Sequence, residues 1–518
     1  MRSRVSKLPL GRTVAMTAAV CLVSSFAFAG IGYADQPPTG VACAAQGAAT
    51  TEGKVSGRGA SFLKRAMDGF IDGYRVDVCG SVASDPGSGV NMLVYNGSNT
   101  TGATGSGQGI ETSICRKDAF AGSDIPYDAG SFAAMNGTPG TGLNCAVPAY
   151  SPFYQPNSPA TWPDPADLQA NVMSFPVAGA SNAIAINLAA GTCPSRPTNG
   201  PINLTHEAAS KLLGGDILTW GDPRLVATNA TLNGCTVPVT RVVRRDKSGT
   251  TQITKTYLSK ADGNRQLGSA ATCAPPANPA TRANPDWAFL AIDDNNVDWP
   301  GAPGNHPGGG VADTSQPAPA TATCSAVTNG ASSGNASMIT ATLATNGAFS
   351  YPDLADALQN TTLVRAGIDN AAPGPNSFQS PGSTAANCDF PTTLPGSNTS
   401  GNVGLDPTDT WAIDNPGIVH SDVAFQGSKY PICGLSFVLV YTGLSGSGAR
   451  PNPIARMTQN QRRTVHSFLT YVLSPAAQNR LGVAASGSGA TLQPGVPGYA
   501  KLPNAWLTPL RVGFRTNF

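Results

Sequence analysis

The sequence predicts an α/β protein that is divided into two lobes. The chain has 518 residues, well beyond the size at which a single hydrophobic core stops growing. Strand-like, glycine-rich and helix-like segments alternate from Val55 to Gly122, an order that is typical of an α/β lobe. Two longer apolar runs, at 174–188 and 432–441, suit buried strands that cross from one lobe to the other. Together these observations favour two lobes over one large domain.

The two crossing runs also set the expected domain boundaries. Residues 35–178 and 431–518 are expected to form one lobe, and residues 179–430 the other. Within the second lobe, the segment 265–425 is dense in Pro, Gly, Asn and Thr, a composition that is typical of loops. We expect long loop-rich surface insertions there, apart from a core-like segment at 347–351.

Periodicity predicts the individual elements along the chain. Helices are expected where apolar residues recur three or four positions apart, at 62–74, 110–117, 206–213, 250–258 and 459–473. In the first helix the recurring residues are Phe62, Ala66, Met67, Phe70, Ile71 and Tyr74. Strands are expected where short apolar runs are bounded by turn residues, at 76–78, 92–95, 119–122 and 237–243.

The N-terminal segment predicts export. Four basic residues fall within the first 12 positions, the stretch 14–28 carries no charge, and small-residue cleavage sites end at Ala29 and Ala34. This is the pattern of a signal peptide, and the apolar stretch is shorter than the roughly 20 residues that span a bilayer. We therefore expect residues 1–34 to be removed, which leaves a periplasmic or extracellular protein that does not span the membrane.

Composition argues against nucleic-acid and metal-dependent functions. Only 12% of the residues are charged, and loss of the leader's four cations changes the formal net charge from +2 to −2, so the chain has no basic footprint for nucleic acid. The four histidines are scattered and no two cysteines form a Cys-x-x-Cys pair. We therefore expect no metal site and no cofactor.

Ten of the 11 cysteines follow the leader, and an even number in an exported chain predicts disulfides. Cys115 with Cys145 and Cys193 with Cys235 would close loops of reasonable size. Spacing alone leaves the connectivity open. We expect the mature chain to carry no free thiol.

Four turns rich in glycine and hydroxyl residues carry the candidate chemistry. Each stands between a strand-like and a helix-like run, and they are 57–62, 105–109, 122–124 and 244–251. A helix N-terminus offers free N–H groups and a favourable dipole, glycine allows close approach, and Ser or Thr adds a hydroxyl. A single turn of this kind is more often a simple helix cap. Four of them in order predict a site for an oxyanion stripped of water.

Five ordered strings resemble those of the phosphate-binding proteins of bacterial phosphate ABC importers: GRGASF, GSGQGI, FAGSDIP, VVRRDKSGTT and YPICGLSFVLV. The resemblance covers roughly residues 55–260 and 425–485, and Arg-x-Asp-x-Ser-Gly-Thr at 244–250 is its most specific part. It implies the two-lobed periplasmic binding protein type II fold, with inorganic phosphate bound in the cleft between the lobes. A monomer is expected, and docking on a membrane ABC permease is left open.

The resemblance also implies individual phosphate-binding residues. They are Ser61, the backbone N–H of Phe62, Ser106, Asp124, Arg244, Ser248, Gly249 and Thr250. Counting back from Ser-Gly-Thr places Arg244, not Arg245, at the family's arginine position, and Asp246 at that of the acidic residue that supports the arginine. Lys247 stands where the family usually has Gly. It could add a cation at the mouth of the cleft, but we expect it to point to solvent because lysine is rarely buried.

Asp124 has a chemical logic that is independent of the resemblance. A carboxylate repels an anion unless the anion carries a proton to donate. Phosphate near neutral pH keeps a proton and sulfate keeps none, so a buried Asp124 would reject sulfate. The alternative interpretation is an ordinary helix-capping Asp.

Two other classes of function stay open at this point. A secreted phosphatase-like hydrolase would need an activated serine or a dinuclear metal site, but no histidine lies in the four turns. The string GASSG at 330–334 has no apolar strand run before it, unlike a nucleophile elbow. A surface or adhesive protein could also retain this fold. The favoured prediction is a binding protein that is not an enzyme.

Overall fold

The computed structural model describes residues 55–78, 93–96, 105–114, 118–125, 172–194, 200–244, 246–262, 287, 299–300, 324–327, 334–370, 376–391, 427–441, 459–484, 486 and 495–518. The predicted signal peptide 1–34 and the pairing of Cys115 with Cys145 lie outside these residues.

The elements follow one another in an α/β order. The first part of the chain forms β1 (Val55–Gly59), α1 (Lys64–Asp77), β2 (Leu93–Tyr95), α2 (Ser106–Ile114), β3 (Phe120–Ser123) and β4 (Val172–Ser181). The middle part forms β5 (Ala185–Asn187), β6 (Asn203–Leu204), α3 (His206–Gly214), α4 (Pro223–Val226), β7 (Thr240–Arg244), α5 (Gly249–Ala261), β8 (Cys324–Val327), α6 (Gly334–Leu343), β9 (Ala348–Ser350), α7 (Leu354–Ala357), β10 (Val364–Arg365), β11 (Gly367–Asp369) and β12 (Phe378–Gln379). The last part forms β13 (Cys433–Tyr441), α8 (Gln459–Val472), α9 (Pro475–Gln478), β14 (Tyr499–Ala500) and α10 (Asn504–Asn517).

A six-stranded mixed sheet organises the first lobe, in the order β14-β4-β13-β3-β1-β2. β1, β2 and β3 are parallel, whereas β13 runs antiparallel between β3 and β4. Every residue of β13 is buried, and a strand that is covered on both faces has the continuous apolar sequence seen at 432–441. Helices α1 and α8 pack against each other through Tyr74 and Phe468, whose ring centroids lie 5.7 Å apart.

A five-stranded sheet organises the second lobe, in the order β10-β5-β9-β7-β8. β7 is parallel to both β8 and β9, and β5 is antiparallel to β9 and β10. A smaller sheet, β12-β11-β6, lies in the same part of the chain. The two-lobed α/β fold that the sequence predicts is thus confirmed, whereas the lobe boundaries at 178/179 and 430/431 stay a prediction.

The chain crosses between the two sheets next to Asn182, which is fully buried. The predicted crossing strand at 174–188 is two strands, β4 and β5, separated by Asn182 and the next two residues. The backbone N–H of Asn182 donates to the carbonyl of Ile432 (3.0 Å), just before β13. Its side chain donates to the carbonyl of Thr250 (2.7 Å). These bonds tie both crossing segments to the first turn of α5.

All five predicted helices are present, with shifted ends, but one predicted strand is wrong. Residues 76–78 do not form a strand, because Val76 and Asp77 continue α1 and no Gly or Pro stops it there. Helix α2 begins at Ser106, four residues earlier than predicted, because glycine in its first turn has the appearance of a loop in the sequence. A Cβ on Gly109 would collide with the carbonyl of Gly122, so glycine is needed for α2 to pack on β3.

Within 265–425, the described parts contain more of the second lobe's core than the sequence predicted. Helix α6 and strand β9 belong to the second lobe, and the core-like segment around β9 is confirmed by the burial of Tyr351. Trp287 and Trp299 are fully buried as well. The string GASSG at 330–334 also has a strand before it, β8, and a helix after it, although Ser332 itself lies outside the described residues.

Two disulfides are present among the described residues. Cys193 pairs with Cys235, as the spacing suggested, and Cys388 pairs with Cys433 at the start of β13. The second pair connects the loop-rich region to the crossing strand. None of the helices in the described ranges combines the length and the hydrophobicity that a membrane span requires.

We predict that replacing both Cys193 and Cys235 by alanine lowers the free energy of unfolding by about 2–4 kcal/mol. The bond joins residues 42 positions apart, and its loss enlarges the ensemble of the unfolded chain. Urea unfolding followed by circular dichroism measures the change, with non-reducing peptide mapping of the wild type as control. An unchanged unfolding midpoint would contradict the prediction.

Candidate functional site

The four predicted turns meet where the two lobes face each other. Those after β1, β3 and β7 follow the carboxyl ends of parallel strands, which is where α/β proteins usually bind ligands. One guanidinium nitrogen of Arg244 in the second lobe lies 3.4 Å from the hydroxyl of Ser61 in the first. The backbone N–H of Gly249 donates to the hydroxyl of Ser106 across the same boundary (3.2 Å). The turns therefore form one continuous cluster.

The hydroxyl of Ser106 lies at the centre of this cluster. It donates to Oδ2 of Asp124 (3.0 Å) and accepts from the backbone N–H of Asp124 (3.0 Å) and of Gly249 (3.2 Å). A hydroxyl has one hydrogen to donate and two lone pairs to accept with, so these three bonds use its whole capacity. Ser106 is almost fully buried and connects the two lobes directly.

Asp124 is a buried carboxylate held from two sides. Its Oδ2 accepts from Ser106, and its Oδ1 accepts from the hydroxyl of Ser436 on β13 (2.6 Å). Burial raises the pKa of Asp124 to about 7, although the two serine hydroxyls and the nearby Arg244 favour the charged form. These partners are distant in sequence, so the described contacts of Asp124 are not those of a helix cap.

Arg244 supplies the positive charge of the site. Its guanidinium donates from Nε to Oδ1 of Asp246 (3.0 Å) and forms a short ion pair with Oδ2 of the same residue. Burial alone would lower the pKa of Arg244, but Asp246 raises that pKa above its usual value. Asp246 is therefore placed to support the arginine, and the cation persists even though only 1% of the Arg244 side chain is exposed.

Two aromatic residues that the sequence reasoning missed fix the backbone of Arg244. The backbone N–H of Arg244 donates to the hydroxyl of Tyr351 (2.9 Å), and the indole N–H of Trp299 donates to the carbonyl of Arg244 (3.0 Å). The two rings pack together with centroids 5.2 Å apart, and the ammonium of Lys255 lies 4.5 Å from the centre of the Trp299 ring. Trp299 lies in the Pro- and Gly-rich region, where no periodic pattern marked it.

The start of α5 presents the remaining second-lobe residues. Ser248 caps the helix by accepting from the N–H of Thr251 (3.3 Å), and the hydroxyl of Thr250 donates to Asn335 (3.3 Å). Gly249 lies so close to Asp124 and Ser106 that an added Cβ would collide with both. Glycine at 249 is therefore required for the close approach of the two lobes.

The first-lobe turn presents Ser61 and Phe62 at the start of α1. No side chain caps this helix, and the hydroxyl of Ser61 accepts a hydrogen bond from the guanidinium of Arg244 (3.4 Å). Phe62 is held by Tyr499, whose hydroxyl donates to the Phe62 carbonyl and whose ring centroid lies 6.3 Å from that of Phe62. Lys247 is exposed, as predicted, and Arg245 lies outside the described residues.

The site offers charge and hydrogen-bond donors but no metal-binding set. Within the described ranges, no group of three or more His, Cys, Asp or Glu side chains is placed to hold a metal ion. Ser436 is a further site residue that the sequence reasoning did not single out. The available signal was a polar residue within the otherwise apolar strand β13. The arrangement can hold an anion between a buried cation, several hydroxyls and one carboxyl.

Two known proteins are similar in sequence to part of this chain. The phosphate-binding proteins PstS2 of Mycobacterium bovis (strain BCG / Pasteur 1173P2) and PstS 2 of Mycobacterium tuberculosis (strain ATCC 25618 / H37Rv) are each 26% identical over 204 residues. That match covers 39% of this chain and only 41% of the length of these curated relatives.

Two of the solved structures that are similar to this chain are named as phosphate-binding proteins. A high-affinity periplasmic phosphate-binding protein (PfluDING) has a TM-score of 0.47 and 18% identity, and one from Stenotrophomonas maltophilia has a TM-score of 0.45 and 16% identity. Each comparison covers 88% of this chain and 93% of the other. The family model described as the PBP superfamily domain matches residues 44–476, most of the chain, and the protein therefore belongs to the PBP superfamily.

Proposed function

We propose that the protein is an exported solute-binding protein that binds inorganic phosphate between its lobes and is not an enzyme. The observation that carries the proposal is the burial of Arg244 from one lobe close to Asp124 from the other, with the hydroxyl of Ser106 bonded to both sides of the cleft. The curated relatives that match part of the chain are named as phosphate-binding proteins, which supports the same ligand.

The proposed contacts use donors from both lobes. Arg244 would pair with the anion, while Asp246 holds the guanidinium in place. The other proposed donors are the hydroxyls of Ser61, Ser106, Ser248 and Thr250 and the backbone N–H groups of Phe62 and Gly249. Ser106, Thr250 and the N–H of Gly249 donate to protein groups in this structure, and they would exchange these partners for the anion when it binds. A helix N-terminus such as that of α5 adds a favourable dipole.

Asp124 would select the ligand by its proton. An ionised carboxylate can accept a hydrogen bond from a protonated phosphate oxygen, whereas sulfate near neutral pH has no proton to donate and leaves the carboxylate unpaired. Shape and size differ little between the two anions, so the neutral donors cannot separate them strongly.

The hydroxyl of Ser106 argues against a phosphatase. Like the hydroxyl of Ser436, it donates to the carboxylate of Asp124, as a nucleophile would to a general base. Both of its lone pairs, however, accept backbone N–H bonds, which lowers their availability for attack on phosphorus. Delivery of the phosphate to an ABC importer and scavenging outside the cell are both compatible with this site.

Replacing Arg244 by alanine should weaken phosphate binding by roughly 2–5 kcal/mol, because it leaves a desolvated anion without its cation. Arg245→Ala is the matched control, since it removes the same charge one position away. Isothermal titration calorimetry of both variants measures the difference. Equal losses in the two variants would show that the assignment of Arg244 is wrong.

Replacing Asp124 by asparagine should remove most of the preference for phosphate over sulfate. The amide of asparagine can donate to an unprotonated oxygen, so sulfate no longer leaves a buried charge unpaired. Titration of the wild type and the variant with both anions at pH 8 gives the two ratios of dissociation constants. An unchanged ratio would remove Asp124 from the site.

The raised pKa of Asp124 also predicts a pH dependence of stability in phosphate-free buffer. The carboxyl binds its proton more tightly in the folded protein, with a pKa of about 7, than in the unfolded chain, with the ordinary value of 3.8. Its contribution to stability is therefore fully present below about pH 4 and is lost as the pH rises to about 7.

Relative to Asp124→Asn, which does not titrate, the wild type should lose free energy of unfolding across this range and level off above it. Denaturant unfolding at a series of pH values measures this difference between the two proteins. A difference that stays constant with pH would show that Asp124 titrates at the same pH in both states.

A further inference from the structure

Ser436 lies directly opposite Asp124 across two paired strands. β13 is antiparallel to β3, and Phe437 pairs with Ser123. Ser436, one residue earlier in β13, therefore faces Asp124, one residue later than Ser123. On the other side, the pairing of β13 with β4 shifts register between Ser436 and Phe437. A serine in the middle of a buried strand is thus held at an irregular point of the sheet, where its hydroxyl donates to Oδ1 of Asp124 (2.6 Å).

The bonds of Ser106 determine where Asp124 can carry a proton. The only hydrogen of the Ser106 hydroxyl points to Oδ2, because its two lone pairs already accept the N–H groups of Asp124 and Gly249. A proton bound to Oδ2 would lie against the hydrogen that Ser106 already directs at this oxygen, which is unfavourable. Any proton on Asp124 therefore resides on Oδ1, next to Ser436.

The other groups that face Asp124 do not replace the hydroxyl of Ser436. Arg244 favours the charged carboxylate through its field, but its guanidinium bonds to Asp246 and contacts Ser61. Tyr95 and Tyr499 stay neutral, since burial raises the pKa of each well above the ordinary value. Their hydroxyls donate elsewhere, to the carbonyls of Ala60 and Phe62.

We propose that Ser436 is a specificity-determining positioning residue, whose hydroxyl keeps Oδ1 of Asp124 an acceptor so that the site admits a protonated oxyanion and rejects a fully ionised one. This inference rests on the proposed function, because it assigns how the selectivity of that same site is set. The hydrogen bond from Ser436 to Oδ1 favours the ionised carboxylate, and one lone pair is left on each oxygen for the ligand.

Loss of this hydroxyl shifts the balance toward protonated Asp124. Burial is the largest influence on this carboxyl and favours the neutral form, and Ser436 is the strongest of the groups that oppose it. Without Ser436 the carboxyl stays protonated to a higher pH. A protonated Asp124 donates a hydrogen bond, and sulfate can accept it.

The test compares Ser436→Ala with the wild type in titrations of sulfate and phosphate from pH 6 to pH 9. In the wild type, sulfate binding should weaken as Asp124 ionises with rising pH. In Ser436→Ala, the midpoint of that loss should move upward by about one to two pH units, as expected for the loss of one hydrogen bond to a charged group. Ser181→Ala is the matched control, since Ser181 is a buried serine on the adjacent β4 whose hydroxyl donates to the carbonyl of Pro381 (3.2 Å).

A second pair of variants covers the case in which alanine disturbs the strand. Ser436→Thr keeps the hydroxyl and should keep the wild-type midpoint, whereas Ser436→Val, of nearly the same shape, should move the midpoint upward. A general structural effect of the larger side chain would appear in both variants alike.

The outcomes distinguish a failure of this inference from a failure of the proposed function on which it rests. A wild type that binds no phosphate contradicts the proposed function itself. A wild type that prefers phosphate, together with a sulfate midpoint that is the same in Ser436→Ala and in Ser181→Ala, overturns the role of Ser436 alone. The role of Ser436 is supported if the sulfate midpoint moves upward in Ser436→Ala and Ser436→Val but not in Ser436→Thr or Ser181→Ala.

Discussion

The contact on which the rest of the site depends is the hydroxyl of Ser106. It bonds to Asp124 in its own lobe and to the N-terminus of α5 in the other. For this to happen, α2 must begin very close to the edge of the first sheet. Gly59 and Gly109 allow that approach, because a Cβ on either would collide with the carbonyl of Gly122. Gly59 and Gly109 therefore affect the site because they determine where the hydroxyl of Ser106 lies.

The second constraint is the burial of opposite charges from the two lobes. Arg244 stays charged because Asp246 forms an ion pair with it, whereas Asp124 accepts hydrogen bonds from the hydroxyls of Ser106 and Ser436 and interacts with the nearby Arg244 through its field. A carboxyl in this environment reduces the stability of the unliganded fold near neutral pH, since burial disfavours its charge. Such local cost is common where a residue serves binding rather than folding.

Local patterns in the sequence predict the fold, whereas the members of the cluster were implied by the resemblance to phosphate-binding proteins. Helix periodicity located α1 and α8, and apolar runs located β4 and β13, because these elements are covered on one or both faces. The resemblance also implied that Asp246 supports Arg244, and the two side chains are bonded to each other. These features depend on residues that are near one another in the chain.

What the sequence could not predict depends on contacts between distant residues. Ser436 reaches Asp124 only because β13 returns to pair with β3, and no spacing in the chain encodes that register. Trp299 supports Arg244 from a region whose composition is that of a loop. Glycine in the first turn of α2 concealed the start of that helix, since its requirement comes from packing on β3 and not from its own conformation.

The most direct test is calorimetric titration of the wild-type mature protein, prepared free of phosphate, with phosphate, arsenate and sulfate at pH 8. Arsenate has the shape and the protonation of phosphate, whereas sulfate has the shape without the proton. A site built from Arg244, Ser106 and Asp124 should bind phosphate and arsenate at one site per chain and sulfate at least about tenfold more weakly, because Asp124, with a pKa of about 7, must first take up a proton at pH 8 to accept sulfate. Absence of phosphate binding, or equal affinity for phosphate and sulfate, would contradict the proposed site.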